Sequence, residues 1–258
     1  DWIELYNTTN SSIYLGNFYL SDDETDYIKW SLPDIYIPAN SAIILYASGK
    51  GSEFDSYHTN FKLSSEGEPL ILSNQNGLPI DHILIPKLKT DISYGRITDG
   101  ATDWGYFDVS TPGTTNGSSL SYTCLLESPS VDKNSGSYSG NVDLFVSHAD
   151  QSVDIRYNLR GNDPSLSDPI LQNSILLQNT SGVNNYSTIP TNPAFNYPMG
   201  AYSATRANNR GWVPPYSTQN TINVINIQAF KNGCIASEIV SRTFLIDENH
   251  DLDVLSIQ

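Results

Sequence analysis

Apolar and polar residues alternate in short stretches through most of this chain, and turn-forming residues separate the stretches. The first residues, DWIELYN, already show this period of two, which is typical of a β-strand with one buried face. No stretch of the first half has the i, i+3, i+4, i+7 apolar spacing of an amphipathic helix. The pattern therefore predicts an all-β fold.

The individual strands can be placed from this alternation. The first half predicts one strand around Ile13–Leu20 and another around Ala42–Ala47. Residues 61–85 predict three short strands, with turns at Glu66-Gly67 and Asn76-Gly77. Five more strands are predicted within 141–148, 153–159, 174–179, 221–230 and 239–247. Short, evenly spaced strands of this kind predict sandwiches or barrels.

Two segments interrupt the alternation. The first, STPGTTNGSSLSY at 110–122, consists of small and turn-forming residues and predicts a boundary between domains 1–117 and 118–258. The second, 182–220, is rich in Asn, Pro and Tyr, and loops of that length are uncommon in compact domains unless they are functional. The alternative is an insertion that only packs on its own sandwich.

The composition fits β structure and limits the choice of ligand. Apolar residues make up 38% of the 258, and there are 16 tyrosines but one methionine. The 28 acidic and 13 basic residues give a net charge of −15, which would repel nucleic acid and anionic membranes. No apolar run reaches the ~18–20 residues that a membrane span requires. We therefore expect neither a nucleic-acid partner nor a membrane span.

The sequence contains no complete catalytic signature. The four histidines are scattered over both halves, and no G-x-S-x-G sequence is present to hold a nucleophile. The stretch SGKGS at 48–52 combines glycine and lysine but lacks the spacing of a phosphate-binding loop. The sequence predicts no catalytic residues and no enzyme.

Two acidic clusters are candidate calcium sites, because calcium prefers six to eight oxygen ligands. The first comprises Asp22, Asp23, Glu24 and Asp26, and the second comprises Asp247, Asn249, Asp251 and Asp253. In the second cluster Leu252 and Gln258 replace the turn glycine and the bidentate acid of a calcium loop. The alternative for both clusters is solvated charge, and no other cofactor is predicted.

Aromatic residues of the 182–220 loop are the candidate ligand-binding residues. Trp212 lies there with Tyr197, Tyr202 and Tyr216, and together they predict an exposed ledge for a sugar. The alternative is that these side chains pack on their own sandwich. Trp2, Trp30 and Trp104 are instead predicted to be core residues.

The chain contains two cysteines, Cys124 and Cys234. Two cysteines without C-x-x-C spacing do not make a metal site by themselves. They either form one disulfide or are two small buried apolar side chains, and the sequence leaves both alternatives open.

Residues 1–117 contain six collinear motifs: WIELYN, LGNFYLSDD, KWSLPDIYIPANSAIILYASGKG, HTNFKLSSEGEPLILSNQNGLPIDHI, SYGRITDGATDWGYF and TPGTTN. Together they resemble a bacterial lamin-tail domain. The resemblance implies an immunoglobulin-like β-sandwich, a structural role for His58, and an earlier strand before Asp1. It also implies positive φ angles at five turn glycines, namely Gly67, Gly77, Gly95, Gly100 and Gly113.

The second half carries PSVDKNSGSYSGNVDLFV, IRYNLRGNDPSLSDPIL and INIQAFKNGCIASEIVSRTFLI. These stretches resemble the chitobiase/β-hexosaminidase C-terminal module, which implies a second sandwich of immunoglobulin or fibronectin-III type. The last residues, FLIDENHDLDVLSIQ, are similar to the segment that leads into a spore-coat-H-like kinase domain.

The resemblances imply a function for the whole chain. They predict a non-catalytic segment of a larger bacterial multidomain protein, secreted or on the cell surface, that acts as a spacing, adhesion or binding module pair. Its partner would be a protein or a carbohydrate, and we expect a monomer. The alternatives are an accessory region of a spore-coat-H-like kinase, or a carbohydrate-binding module.

Overall fold

The computed structural model describes residues 1–51, 56–179 and 222–247. The regular secondary structure of these residues consists of β-strands, apart from a 3-10 turn at Asn116–Ser118. The same residues contain no helix that is long and apolar enough to cross a membrane. The chain divides into two compact units, of which the first comprises residues 1–125 with Gly233–Ile235 and the second comprises the rest.

Short strands build the first unit. They are β1 (Trp2–Tyr6), β2 (Ile13–Tyr14), β3 (Tyr19–Ser21), β4 (Trp30–Ser31), β5 (Tyr36–Ile37), β6 (Ala42–Tyr46), β7 (Glu68–Ser73), β8 (Pro79–Ile85), β9 (Ser93–Arg96), β10 (Trp104–Phe107) and β11 (Cys124–Leu125). The largest sheet has the order β4-β3-β7-β8, and β1-β6, β2-β5 and β9-β10 are pairs. Directly opposed residues such as Leu20 and Trp30 enter one core with Ile3 and Leu45, because side chains on opposed strands share a face.

The second unit has two sheets that share a core. Its strands are β12 (Ser130–Val131), β13 (Gly136–Tyr138), β14 (Val142–Ser147), β15 (Asp154–Asn158), β16 (Ser174–Leu177), β17 (Asn223–Phe230) and β19 (Val240–Ile246). The sheet orders are β12-β14-β16 and β13-β19-β17-β15. Leu144 and Leu177 from one sheet pack in the same core as Ile227 and Phe244 from the other. This arrangement is a sandwich-like layering, and it confirms the prediction of an all-β fold.

The five strands predicted in the second half are all present, and the alternation of apolar and polar residues is strictest in β14. In β14 buried and exposed residues alternate at every position. Two strand predictions in the first half were wrong. Ile13–Leu20 is split into β2 and β3, since the backbone turns where Phe18 N–H donates to Leu15 C=O. Residues 61–85 form two strands and not three, because Lys62 makes only an isolated bridge to Ser48.

A disulfide joins Cys124 and Cys234, so the alternative of two free buried cysteines is wrong. Cys234 lies in β18 (Cys234–Ile235), which pairs in parallel with β11. The Thr123 N–H donates to the Gly233 carbonyl and continues this pairing. The segment Gly233–Ile235 therefore belongs to the first unit, although β17 and β19 on either side of it belong to the second.

A buried carboxylate organises the loop between β15 and β16. Asp168 accepts hydrogen bonds from the backbone N–H of Ser165 at 2.8 Å and from its hydroxyl at 2.9 Å. The guanidinium of Arg160 also pairs with Asp168. The Ser165 hydrogen bonds, followed by the Arg160 charge, hold the pKa of this carboxyl below its usual range.

Candidate ligand-binding face

The aromatic loop residues predicted to bind a sugar lie outside the described residues. They are Tyr197, Trp212, Tyr202 and Tyr216, and the rest of the 182–220 loop lies outside as well. In the second acidic cluster Asn249, Asp251 and Asp253 are also outside. Its described member, Asp247, accepts a hydrogen bond from Gly140 N–H at 2.6 Å. The last residues, 244–258, were noted for their similarity to the segment that leads into a spore-coat-H-like kinase domain. That similarity stays a prediction.

The first acidic cluster does not converge on one point. Asp22 pairs with Lys29 at 2.5 Å, Asp23 accepts hydrogen bonds from Thr25, and Asp26 accepts one from Ile28 N–H. Across 1–51, 56–179 and 222–247 no group of three or more His, Cys, Asp or Glu side chains is placed to hold a metal ion. The calcium site at this turn therefore stays a prediction.

The three tryptophans predicted as core residues have different environments. Trp30 is 4% exposed and packs in the core of the first unit. Trp2 is 37% exposed, because it lies opposite Tyr46 on the outer face of the β1-β6 pair. Trp104 is half-buried on the outer side of β10. The prediction was therefore wrong for Trp2 and Trp104.

Trp104 belongs to an aromatic surface formed by β9 and β10. The register places Trp104 opposite Arg96 and Tyr106 opposite Tyr94. Because side chains alternate along a strand, these four large residues share one face. Gly95, Gly105 and Phe107 lie on the other face, where Phe107 is 3% exposed. One face of this two-stranded sheet is therefore aromatic and half-exposed, and the other packs inward.

Tyr122 extends this surface by one more chain segment. Its backbone N–H and C=O exchange hydrogen bonds of 2.8 and 2.9 Å with Tyr106, so the two tyrosines are directly opposed. Tyr94, Tyr106 and Tyr122 then form a row across three neighbouring segments. The Tyr122 hydroxyl donates to Asp108 Oδ2 at 3.0 Å. We refer to Tyr94, Trp104, Tyr106 and Tyr122 together as the aromatic face.

The rings of the aromatic face contact one another closely. The centroids of Tyr94 and Trp104 are 5.4 Å apart with an interplanar angle of 24°, and those of Tyr94 and Tyr106 are 5.0 Å apart. The Arg96 guanidinium lies 4.9 Å from the Trp104 ring centroid, within the range of a cation–π contact. Arg96 is also paired with Asp81 at 2.8 Å, which neutralises its charge. Because the Tyr94 and Tyr106 rings are tilted by 55° to each other, the result is a cluster of contacting rings with hydrogen-bonded polar groups at its rim.

Two glycines on the inner side allow this arrangement. A side chain at Gly105 would meet the Tyr122 carbonyl at 3.0 Å, and one at Gly95 would meet the Asn116 amide at 3.3 Å. Gly95 has an extended backbone in β9, so the predicted positive φ was wrong there, whereas Gly67, Gly77, Gly100 and Gly113 do have positive φ. Gly95 is required for close approach and not for a turn.

Asn116 fixes the position of β9. Its side-chain amide donates to the Arg96 carbonyl at 2.8 Å, and its side-chain oxygen accepts from Thr111 at 2.9 Å. Its backbone N–H donates to Asp99 at 2.9 Å. These bonds hold residues 111–118 against β9 and occupy the outward-pointing carbonyl of Arg96.

Two hydroxyl groups of the aromatic face, those of Tyr106 and Tyr122, have a raised pKa. Burial raises the pKa of Tyr106 above its usual value, and nearby Tyr94 raises it further. Burial also raises the pKa of Tyr122, and its hydrogen bond to Asp108 adds to the effect. Each phenol can both donate and accept a hydrogen bond. The face therefore combines neutral hydrogen-bonding groups with stacking surface, which suits binding.

The sequence contains a pattern that could have identified this face. Tyr94-Gly95-Arg96 and Trp104-Gly105-Tyr106 each place a glycine between two large residues. In a strand this pattern puts both large side chains on one face and leaves the other face open for close packing. No protein-family model, curated protein or solved structure matches the chain. The resemblances of the two halves to known modules therefore stay predictions.

Proposed function

We propose that this chain is a non-catalytic binding segment of an exported protein, and that it contacts a protein or carbohydrate ligand through the aromatic face. The observation that carries the proposal is the arrangement of four half-exposed aromatic side chains on one small sheet. Surfaces that combine aromatic rings with a few fixed polar groups are typical of ligand sites.

The polar groups of the face support binding in preference to chemistry. Arg96 is held by Asp81 and by the Ala101 carbonyl, and Asp108 accepts from Tyr122. Side chains held in this way can orient a ligand. Burial and the hydrogen bond to Asp108 raise the pKa of Tyr122, so this hydroxyl ionises less readily to a nucleophile.

The disulfide supports export. Disulfides persist in oxidising compartments outside the cytoplasm, and Cys124 and Cys234 are joined. We propose further that the first unit is an immunoglobulin-like sandwich of lamin-tail type and the second a chitobiase C-terminal-like module. The positive φ angles at four of the turn glycines and the shared core of the two sheets in the second unit support this assignment.

Binding without turnover is the experimental test. The purified chain would be incubated with cell-envelope fractions and with panels of proteins and glycans, and retention would be compared between the wild type and Trp104→Ala. We expect specific retention that the substitution weakens. Each retained ligand would also be analysed for chemical change. Turnover that survives purification and is abolished by a single substitution would show that the proposal of a non-catalytic segment is wrong.

A further inference from the structure

We propose that the aromatic face binds a neutral carbohydrate. This inference rests on the function proposed above and assigns the chemical class of the ligand. The face consists of residues of the first unit and includes none of the aromatic residues predicted in the 182–220 loop. Three properties of the face identify the class: its charge, the state of the β9 edge, and the position of its hydroxyl groups.

The charge of the face excludes ionic ligands. A cationic ligand would find the carboxylates of the face already engaged, because Asp81 pairs with Arg96 and Asp108 accepts the hydrogen bond of the Tyr122 hydroxyl. An anionic ligand would find the positive charge of Arg96 neutralised by Asp81, with Asp108 close by on a chain of net charge −15. The complementary ligand is therefore electrically neutral.

The edge of β9 disfavours a peptide bound as an added strand. Strand addition requires backbone groups that are available along a sheet edge. At this edge the Arg96 carbonyl accepts a hydrogen bond of 2.8 Å from Asn116. On the other side β10 is paired with Tyr122. A ligand is thus directed onto the rings and away from the strand edges.

A sugar satisfies the remaining features of the face. The C–H side of a pyranose ring is apolar and can lie against the exposed parts of the clustered rings, while its hydroxyl groups reach the rim. The Tyr122 hydroxyl, the Asp108 carboxylate and the Arg96–Asp81 pair provide donors and acceptors at that rim. The row Tyr94–Tyr106–Tyr122 presents neighbouring rings, which fits a chain of sugar units better than a single sugar.

The test uses the full chain and an array that carries neutral oligosaccharides, sulfated oligosaccharides and proline-rich peptides. Dissociation constants of the retained ligands would be measured by calorimetry for the wild type, Trp104→Ala, Tyr122→Ala and Trp104→Phe. Tyr36→Ala is the matched control, because Tyr36 is an exposed tyrosine on β5 in another sheet of the same unit. Thermal unfolding of each variant would be recorded alongside.

We expect binding of a neutral oligosaccharide that weakens by about tenfold or more in each alanine variant, equivalent to about 1.4 kcal/mol. Trp104→Phe should retain most of the affinity, since it keeps an aromatic ring, and Tyr36→Ala should bind as the wild type does. If an alanine variant fails to fold, a shift of the Trp104 indole N–H resonance on titration of the wild type gives the same information.

Three results would overturn the inference. They are equal glycan binding by the wild type and the face variants, binding of proline-rich peptides in place of glycans, and no binding of neutral glycans at all. In the second case the chain still binds a ligand, so the proposed function would stand. In the first case the ligand would bind outside the aromatic face, which would contradict the proposed function as well. Hydrolysis of a bound glycan would instead contradict the non-catalytic proposal and leave the carbohydrate inference intact.

Discussion

Cys124 and Cys234 are 110 residues apart in sequence, and their disulfide fixes their Cα atoms 4.6 Å apart on the parallel strands β11 and β18. Both cysteines belong to the first unit, whereas residues 126–232 between them belong to the second. The disulfide therefore closes a loop that contains most of a folded unit. A crosslink of this kind restricts the unfolded chain far more than a local one.

We expect the double substitution Cys124→Ala and Cys234→Ala to lower the free energy of unfolding by about 2–5 kcal/mol, because the unfolded chain gains the entropy of the open loop. Denaturant unfolding followed by circular dichroism would measure the change. Adding reductant should destabilise the wild type to a similar extent and leave the double variant unaffected. An unchanged midpoint after verified reduction would contradict the prediction.

The alternation in the second unit makes a matched pair of leucine substitutions informative. Leu144 in β14 is 0% exposed, and Leu176 in β16 is 56% exposed on the opposite face of the same sheet. Leu144→Ala should lower the free energy of unfolding by about 2–5 kcal/mol, because it removes buried methyl groups and leaves a cavity. Leu176→Ala should change the stability by about 0.5 kcal/mol or less. If thermal unfolding showed the same loss of stability for both variants, the buried and exposed faces of these strands would be assigned wrongly.

Asp168 should make the second unit sensitive to acid. Its folded pKa lies below the ordinary value of 3.8, so its stabilising effect is present above that pH and is lost as the pH falls through the folded value. Asp168→Asn should therefore unfold at a lower temperature than the wild type at neutral pH, and the difference should shrink below pH 3.8.

The control for this prediction is Asp163→Asn, which changes an exposed carboxylate in the same loop. Its unfolding temperature should follow that of the wild type across the whole pH range. A constant difference between Asp168→Asn and the wild type from neutral to strongly acidic pH would show that the carboxylate charge of Asp168 is not responsible.

Asn116 should position the aromatic face without contacting a ligand on it. Asn116→Ala removes the bonds to the Arg96 carbonyl and from Thr111, and we expect it to destabilise the first unit by about 1–2 kcal/mol. It should also weaken ligand binding, because β9 is no longer held. Asn17→Ala, an exposed asparagine of the same unit, is the control for both measurements. Unchanged stability and affinity in Asn116→Ala would show that Asn116 does not position the aromatic face.

The strands of the second unit were predictable from the sequence because their determinants are local. Along β14, Val142, Leu144 and Val146 alternate with polar or exposed residues, and this alone indicates a strand with one buried face. The turn at Asn76-Gly77 was equally predictable, since Gly77 adopts the positive φ that such turns require. By contrast, the alternation within 13–20 did not reveal the turn in which Phe18 N–H donates to the Leu15 carbonyl, nor the pairing of Leu15 N–H with Ile35, which is distant in sequence.

The candidate face depended on tertiary structure. The sequence contains the alternation of glycine with large residues, but it does not show which strand lies beside β10 or what covers Trp104. The pairing of Tyr106 with Tyr122 shows which segment lies beside β10.

The sequence by itself determined the all-β class, the period of the strands and several turns, because these follow from neighbouring residues. Only the tertiary structure decided that Cys124 meets Cys234, that residues 111–118 lie against β9, and that Trp30 is buried while Trp2 is exposed. The physical reason is that the burial of an aromatic side chain depends on what packs over its face. That partner is usually distant in sequence, so a local pattern cannot identify it.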